Sequence, residues 1–205
     1  TRAVCQSDSS RTAYPNVKNV ININADVDDA LHYNRTLPLV GEIRATLAHL
    51  NQVLEQTPRQ LNDSSWLMEC SAQKQSWQSL KDDRLASPVL YDDYWQQQVL
   101  TQPAAIKTAL DWAKDRKAFT FFDAGDVQAN GFQLAEDEQP GLTFTDTGAS
   151  YMGFAVSALL ASGIADKPFY GVAFTGDGSF TMNPQILIDG AEHGARGCIL
   201  VFDNG

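Results

Sequence analysis

The sequence contains only three cysteines, and their positions match no common metal or disulfide pattern. Cys5, Cys70 and Cys198 are far apart, odd in number and without a CxxC pair. Disulfide frameworks use even sets of cysteines, and structural zinc sites use closely spaced pairs. We therefore expect neither. Cys198 lies in the apolar run 197–202 and is interpreted as a small core residue.

Basic residues and long apolar runs are also scarce. The chain has 15 Lys and Arg against 25 Asp and Glu, a net charge of −10 and a pI of about 4.6. Nucleic-acid binding needs clustered basic residues, so no such partner is expected. No apolar run approaches the roughly 18 residues of a membrane span, and no signal peptide is recognised. We expect a cytoplasmic protein without a membrane partner. Because the chain does not begin with Met, we interpret it as a piece of a longer protein.

The first part of the chain predicts a strand, a loop and a helix. Val17–Asn24 alternates apolar and polar residues, which predicts a strand. Residues 25–38 are polar and predict a loop. Apolar residues at helical spacing then predict a helix from Glu42 to Thr57. Three aspartates of the loop raise the alternative of a metal site, but their spacing does not match a calcium loop, and a solvated loop is preferred. They are Asp26, Asp28 and Asp29.

The next part predicts a helix and then a connecting segment. The helix is expected from about Ser65 to Asp82. Residues 83–100 contain Pro88 and three aromatic residues, and we interpret them as a linker whose aromatic side chains pack on a surface. An aromatic ligand-binding patch is the alternative. The aromatic residues are Tyr91, Tyr94 and Trp95.

From residue 103 onward, short apolar strands alternate with helices. The predicted strands are 118–122, 142–145, 169–174 and 198–202, and the predicted helices are 103–116, 152–164 and 179–193. This alternation indicates βαβ units, hence an α/β fold with a parallel sheet. The apolar strands agree, because parallel strands are covered on both faces. Ligands of such sheets bind beyond the carboxyl ends of the strands. Three strand ends, at 123–126, 175–179 and 203–205, are therefore expected at one edge.

The strand end at 175–179 contains the most informative residues. Gly176 and Gly178 permit close approach of a ligand, and Ser179 is expected to begin a helix whose free N–H groups favour phosphate. A carboxylate at Asp177 would repel a diphosphate unless a divalent cation lay between them. Mg²⁺ prefers oxygen ligands, and Asn204 can supply an amide oxygen. We predict Mg²⁺ held by Asp177, Asn204 and a diphosphate. An ordinary strand-to-helix turn is the alternative.

The spacing of these residues resembles a known cofactor motif. Gly176-Asp177-Gly178, followed after 24 residues by Asp203-Asn204, resembles the thiamine-diphosphate motif that begins GDG and usually ends in NN. Asp203 replaces the first asparagine, whereas Asn204, the residue that would bind the metal, is present. The resemblance implies a thiamine-diphosphate- and Mg²⁺-dependent enzyme with the parallel-sheet thiamine-diphosphate-binding fold.

Two further segments resemble the acetolactate-synthase-like members of this superfamily. The segment 148–154 resembles GxGxMGF, which implies that Met152 props the cofactor in its bent shape and that the Ser150 carbonyl accepts from the aminopyrimidine. A core-filling Met152 is the alternative. The segment 123–128 resembles the first diphosphate-contacting loop, which implies contacts from Gly125 and Gln128. Asp126 is less suited, because an acid would lie near phosphate.

The resemblance also implies a domain division and a reaction class. Residues 1–57 would be the end of a central α/β domain, 58–102 a linker, and 103–205 a diphosphate- and Mg²⁺-binding domain truncated at its C-terminus. The sequence of residues 14–24 looks closest to that of the trihydroxycyclohexanedione hydrolase branch of inositol breakdown. The acetolactate synthase branch is the next most similar. Both branches imply a small-molecule carbonyl substrate, C–C bond chemistry and a homo-oligomer, a dimer or tetramer.

Parts of the family's site have no counterpart in this sequence. The glutamate that activates the aminopyrimidine belongs to a pyrimidine-binding domain, and neither Glu42 nor Glu192 is assigned to it. The third metal ligand would be a carbonyl at position 206, beyond the 205 residues. The chain alone is therefore expected to be inactive and to bind cofactor weakly. The three histidines are interpreted as structural or surface residues. They are His32, His49 and His193.

Two other functions remain open as alternatives. The first is a non-catalytic phosphate- or nucleotide-binding α/β domain, although residues 123–126 lack the G-x-G-x-x-G pattern and no P-loop is present. The second is a regulatory or assembly subunit that retained the fold. The presence of Asp177 and Asn204 argues against a loss of metal binding.

Overall fold

The structure is a computed structural model that describes residues 14–57, 64–146 and 149–204. Cys5, Gly148 and Gly205 lie outside the described residues. The chain divides into two compact units, Thr1–Met68 and Glu69–Gly205. Each unit is described by itself below. None of the described helices combines the length and apolar character that crossing a membrane requires.

The first unit contains a small parallel sheet and two helices. Strand β1 (Val20–Asn24) pairs in parallel with β2 (Thr36–Val40), and between them lies a short helix, α1 (Val27–Ala30). Helix α2 (Ile43–Gln56) follows, which confirms the helix predicted there. Glu42 begins this helix, because its carboxylate accepts the N–H groups of Arg44 and Ala45.

The loop expected over residues 25–38 is wrong, because this segment contains α1 and the start of β2. The polar residues promote the helix instead of preventing it. Asp26 is the N-cap, and its Oδ1 accepts the N–H groups of Asp28 and Asp29 at 2.8 and 3.2 Å. Pro38 is tolerated in β2 because a two-stranded sheet has only edge strands.

The second unit opens with a long helix and a hairpin. Helix α3 (Ser64–Leu85) is three residues longer than expected at its end. The segment interpreted as a linker contains an antiparallel hairpin, β3 (Val89–Asp92) and β4 (Gln97–Leu100). Asp92 Oδ1 accepts the N–H groups of two turn residues at 2.8 Å. The aromatic residues of this hairpin are exposed. They are Tyr91, Tyr94 and Trp95.

The rest of the second unit is a parallel sheet with helices on both faces. Its strands are β5 (Phe119–Phe122), β6 (Thr143–Thr145), β7 (Gly171–Gly176) and β8 (Gly197–Phe202). They lie in the order β6-β5-β7-β8, and every pair is parallel. The helices are α4 (Gln102–Asp115), α5 (Asp126–Leu134), α6 (Phe154–Ala158), α7 (Ala161–Ile164), α8 (Asp177–Phe180) and α9 (Ile186–Glu192). The predicted α/β parallel-sheet class is confirmed.

Alternate residues of the central strands bury against the two helical layers. Phe122 and Phe174 pack with Ile106 of α4 and Val127 of α5, while neighbouring residues such as Phe121 face α6. This alternation is what the pleat of a strand requires when both faces are covered. The sheet is therefore held rigidly in the interior, with its strand ends at the surface.

Three helix predictions differ from the structure. The helix expected over 179–193 is two helices, because Pro184 lacks the N–H group that a continuous helix needs. The helix expected over 152–164 is α6 and α7, and the Ser157 hydroxyl donates back to the Gly153 carbonyl, an interaction that bends helices. Helix α5 was not predicted: the sequence indicated a turn at 123–126 and no helix after it. Its Gly131 lies directly on the Phe122 ring.

Candidate diphosphate and metal site

The three strand ends singled out by the sequence lie at one edge of the sheet. In the parallel register Phe122 is opposite Phe174, and Gly176 is opposite Phe202. Asp123, Asp177 and Asp203 therefore follow neighbouring, parallel strands at their carboxyl ends. Neighbouring strands are about 4.8 Å apart, so the backbones of these turns are close to one another. The expectation of a shared edge is confirmed.

The turn from β7 into α8 leaves room beside its first glycine. A Cβ atom added at Gly176 would meet no heavy atom within 4 Å. Asp177 is exposed and is already the first residue of α8, so the helix begins two residues before Ser179, where it was expected. The Ser179 side chain is buried at 4% exposure. Any contact of Ser179 with a ligand would therefore come from its backbone.

Met152 lies beside this turn. A Cβ atom built at Gly178 would be 3.4 Å from the Met152 methyl carbon, so the methionine side chain extends over this glycine. Met152 is 49% exposed, so within this chain it does not fill the core of the second unit. Ser150, two residues earlier, is exposed and has a left-handed φ of 53°. The described part of the predicted GxGxMGF segment thus reaches the same sheet edge as Asp177.

The first loop places Gly125 and Gln128 at the start of α5. Gly125 has a φ of 88°, a conformation that favours glycine, and a Cβ there would meet nothing within 4 Å. Gln128 donates its Nε2 hydrogen bond to the Thr145 hydroxyl at the end of β6. This contact ties the first turn of α5 to the edge strand. Asp126 is exposed at the first position of α5.

The side chain of Asp123, which the sequence alone does not single out, accepts three hydrogen bonds at this edge. Its side chain is completely buried. Oδ1 accepts the N–H groups of Gly153 at 2.8 Å and Ala124 at 3.1 Å, and Oδ2 accepts the Thr175 hydroxyl at 2.8 Å. An acidic residue directly after a strand of four apolar or β-prone residues was the available signal. It was interpreted only as part of a turn.

The donor chemistry of the edge fits a magnesium–diphosphate group. Asp177 offers an exposed carboxylate and Asn204 an exposed amide oxygen, both hard oxygen ligands. Within the described residues, no cluster of three or more His, Cys, Asp or Glu forms a protein-only metal site. A small number of protein oxygens is what Mg²⁺ uses when phosphate oxygens and water complete its shell.

The other candidate groups have structural roles or lie apart from this edge. The Asp26 carboxylate caps α1. His32 lies edge-on against Tyr33, with ring centroids 4.9 Å apart. His49 is exposed on α2, and His193 is the exposed residue that ends α9. Burial raises the pKa of the half-buried Cys198 thiol, and a hydrogen bond from Tyr170 offsets part of this effect. A raised pKa keeps the thiol protonated and suits a packing residue.

The segment that contains this sheet edge matches a known protein family. Residues 123–205 match the family described as thiamine pyrophosphate enzyme, C-terminal TPP binding domain, where thiamine pyrophosphate is the same compound as thiamine diphosphate. This segment includes all of the selected strand ends.

Several curated proteins are similar to the chain. The 3D-(3,5/4)-trihydroxycyclohexane-1,2-dione hydrolase of Lacticaseibacillus casei is 26% identical over 100% of this chain and 34% of its own length. The chloroplastic acetolactate synthase of Arabidopsis thaliana is 29% identical over 80% of this chain and 23% of its own length. The acetolactate synthase of Mycobacterium leprae is 27% identical over 89% of this chain and 28% of its own length.

This chain thus spans about a third or less of the relatives it matches. Its matched segment contains strands β6, β7 and β8 and the sheet edge at which Asp177, Met152 and Asn204 lie. Residues 123–205 of the chain thus match the C-terminal TPP binding domain of thiamine pyrophosphate enzymes, and the chain is similar to a trihydroxycyclohexanedione hydrolase and to acetolactate synthases.

Proposed function

We propose that this chain is the diphosphate- and Mg²⁺-binding part of a thiamine-diphosphate-dependent enzyme that makes or breaks a carbon–carbon bond next to a carbonyl group. The observation that supports this best is that Asp177, Met152 and Asn204 all lie at one edge of a parallel sheet. The longer protein of which the chain would be a part is called the parent protein below.

The metal half of the site would be formed by Asp177 and Asn204. Their carboxylate and amide oxygens would hold Mg²⁺, which would offset the repulsion between Asp177 and a diphosphate. The open space beside Gly176 and Gly125 would let phosphate oxygens approach the backbone closely. When bound, thiamine diphosphate supplies an electron sink for the carbon centre, a chemistry that amino-acid side chains do not provide.

The orienting half of the site would be formed by residues 150–153. The Met152 side chain, exposed and lying over Gly178, would support the cofactor from one side. The Ser150 carbonyl would accept a hydrogen bond from the aminopyrimidine. The chain would thus fix the position of the cofactor, while the activating glutamate would come from a pyrimidine-binding domain outside this sequence.

The reaction subtype is proposed from the relatives and not from the site. The relative that aligns with the whole chain is named as a hydrolase of a cyclic dione, and those that align with 80–89% of it are named as acetolactate synthases. We propose a small-molecule carbonyl substrate, with hydrolysis of a cyclic dione as the first choice and decarboxylation or carboligation of 2-keto acids as the second. A cytoplasmic homo-oligomer that requires Mg²⁺ is proposed for the parent protein.

Titration calorimetry of the parent protein with thiamine diphosphate, with and without Mg²⁺, tests this function. We expect Mg²⁺-dependent binding that Asp177→Ala weakens by about 100-fold or more, because the remaining Asn204 amide holds a divalent cation poorly. Asn204→Ala should weaken binding less. Asp166→Ala is the matched control, because Asp166 is an exposed aspartate in the connection between α7 and β7.

Equal affinity of Asp177→Ala and wild type would show that the metal assignment is wrong. Absence of any thiamine-diphosphate binding by the parent protein would overturn the proposed function and favour a domain that retained the fold alone. The isolated 205-residue chain should show no thiamine-dependent turnover, because it would lack the activating glutamate. Turnover by the isolated chain would contradict the proposed division of the site.

A further inference from the structure

Asp123 is a buried carboxylate that connects three of the segments proposed to bind the cofactor, those that contain Gly125, Met152 and Asp177. It follows β5 and precedes the loop that contains Gly125. Its side chain reaches Gly153, 30 residues away, and Thr175, 52 residues away. We propose that Asp123 is a positioning residue that fixes the Met152 turn and the β7–α8 turn relative to each other. This inference rests on the proposed function for its consequence, but not for its geometry.

The bond to Gly153 fixes the backbone immediately after Met152. Gly153 has a left-handed φ of 89°, and its N–H group donates to Asp123 Oδ1 at 2.8 Å. Gly153 is also tightly confined, because an added Cβ would be 3.2 Å from the Met182 Cβ and 3.5 Å from the Ser179 carbonyl oxygen. Its backbone direction therefore sets where the Met152 side chain begins.

The bond to Thr175 fixes the other segment. Thr175 is completely buried, and its hydroxyl donates to Asp123 Oδ2 at 2.8 Å. The next two residues are Gly176 and Asp177, the proposed diphosphate and metal contacts. One carboxylate thus holds the Met152 turn through Oδ1 and the Asp177 turn through Oδ2. The separation of these two turns decides whether a cofactor can bridge them.

Three hydrogen bonds hold the Asp123 carboxylate. Among the described residues, no ion pair includes Asp123. Hydrogen bonds to an ionised acceptor are stronger than neutral ones, and a buried donor that loses its acceptor suffers the full cost of desolvation. Loss of the carboxylate would leave the Gly153 N–H and the Thr175 hydroxyl without this acceptor, so both turns would shift to find new partners.

The substitution Asp123→Asn separates the effect of the hydrogen bonds from the effect of the charge, because asparagine has nearly the same shape as aspartate but is neutral. The amide oxygen can accept the two N–H groups that Oδ1 accepts now. The amide nitrogen can donate to the Thr175 hydroxyl, because that hydroxyl can turn to the Gly176 carbonyl oxygen, which is 3.2 Å away. Asp123→Asn should therefore retain the connection, whereas Asp123→Ala removes it. Thr175→Val removes one bond at nearly constant volume, and Thr175→Ser retains it.

The first measurement uses the cofactor-free parent protein. Hydrogen exchange, followed by mass spectrometry of peptides that span 150–157, should be at least about tenfold faster in Asp123→Ala than in wild type. Asp123→Asn should stay within about threefold. Ser162→Ala is the matched control. Ser162 is also buried and its hydroxyl oxygen accepts the Arg196 N–H at 2.8 Å, at a place away from the sheet edge.

The second measurement is thiamine-diphosphate affinity at saturating Mg²⁺. We expect Asp123→Ala and Thr175→Val to weaken binding by about tenfold or more, which corresponds to about 1.4 kcal/mol, and Asp123→Asn, Thr175→Ser and Ser162→Ala to stay within about threefold. Wild-type affinity of Asp123→Ala would overturn the inference. Equal losses in Asp123→Asn and Asp123→Ala would also overturn it, since charge would then be responsible.

The outcomes separate this inference from the proposed function. If the wild-type parent protein binds no thiamine diphosphate, the proposed function fails, while the exchange rates still decide whether Asp123 fixes the two turns. If Asp123→Ala does not fold, Thr175→Val decides alone, and unchanged exchange and affinity in that variant would refute the positioning role. A loss in Ser162→Ala equal to that in Asp123→Ala would refute it as well, because general destabilisation would explain both.

Discussion

The two units of the chain differ in how they bury apolar residues. In the second unit the sheet is covered on both faces, and Phe122 and Phe174 of its central strands are completely buried. In the described part of the first unit, Ala30 and Tyr33 are the only buried hydrophobic residues. Helix α2 exposes an apolar stripe instead. Its residues are Ile43, Leu47, Leu50, Val53 and Leu54.

This difference shows where the sheet edge obtains its rigidity. Hydrophobic burial is the main favourable contribution to folding, so the second unit holds most of the stabilisation visible in this chain. A site that must hold two turns in register benefits from such a core, because packed interiors transmit small displacements instead of absorbing them. In the first unit, the apolar residues of α2 recur at the spacing of a packed helix, but their side chains are exposed.

The largest expected effect is the loss of Phe174. This residue is 0% exposed and stacks on Phe122 with ring centroids 4.6 Å apart. Phe174→Ala should lower the free energy of unfolding of the 205-residue chain by about 3–5 kcal/mol, through lost burial and a residual cavity. Urea denaturation measures this change. The matched variant in the first unit is Leu47→Ala, at a residue that is 43% exposed, and its cost should stay below about 1 kcal/mol. Equal costs would contradict the comparison.

A smaller effect is expected from overfilling the same core. A Cβ added at Gly131 would lie 2.3 Å from the Phe122 ring, so α5 or the ring must move. Gly131→Ala should cost about 1–3 kcal/mol in the same denaturation experiment.

Gly176→Ala is the control for Gly131→Ala, because a Cβ there meets nothing within 4 Å and the backbone φ of −78° suits any residue. The stability of this variant should change by less than about 1 kcal/mol. Its thiamine-diphosphate affinity in the parent protein should fall, because the methyl group would occupy the proposed path of a phosphate oxygen. A stable Gly131→Ala protein would show that the contact between α5 and the sheet is looser than the structure indicates.

The comparison of units also explains what the sequence could predict. The parallel sheet and its three strand ends were predictable, because buried strands such as β7 consist of short apolar runs and the ends contain Gly and Asp. The loop expected over 25–38 failed because polar residues were taken as evidence against structure, although Asp26 uses its polarity to cap α1. Pro184 was an available sign of a helix break that was not used.

The role of Asp123 could not be predicted from a single sequence. Its partners Gly153 and Thr175 are 30 and 52 residues away, and neither position shows a spacing that indicates an acceptor for its hydrogen bond. Periodicity reports which face of an element is buried, but it does not report which side chain reaches across to another element. The residues that would contact the cofactor were therefore named, while the residue that holds them in place was missed.

The smallest expected effect compares one carboxylate from each unit. The Lys81 ammonium holds the pKa of Glu136 below its ordinary value of 4.5, and the N–H groups of Arg44 and Ala45 lower the pKa of Glu42, which caps α2. A lowered pKa in the folded state means that each contribution is complete above pH 4.5 or so and disappears as the pH falls through the lower, folded value. Glu136→Gln should therefore destabilise the chain at pH 7 and have little effect once the pH is below the lowered pKa of Glu136 in the folded state.

The two carboxylates should differ in their response to salt. Glu136 is largely exposed, so its pair with Lys81 is expected to contribute about 0.2–1 kcal/mol at low ionic strength and less at 1 M salt, where exposed charges are screened. The Glu42 cap should keep more of its effect, because its bonds to two backbone N–H groups at 3.0 and 2.8 Å are short-ranged hydrogen bonds. Urea denaturation of Glu136→Gln and Glu42→Gln at pH 7, at low and high salt, measures both. Salt could instead reduce the loss of unfolding free energy equally in both variants. The contribution of Glu42 would then be that of a screened charge, and its hydrogen bonds would not be what caps α2.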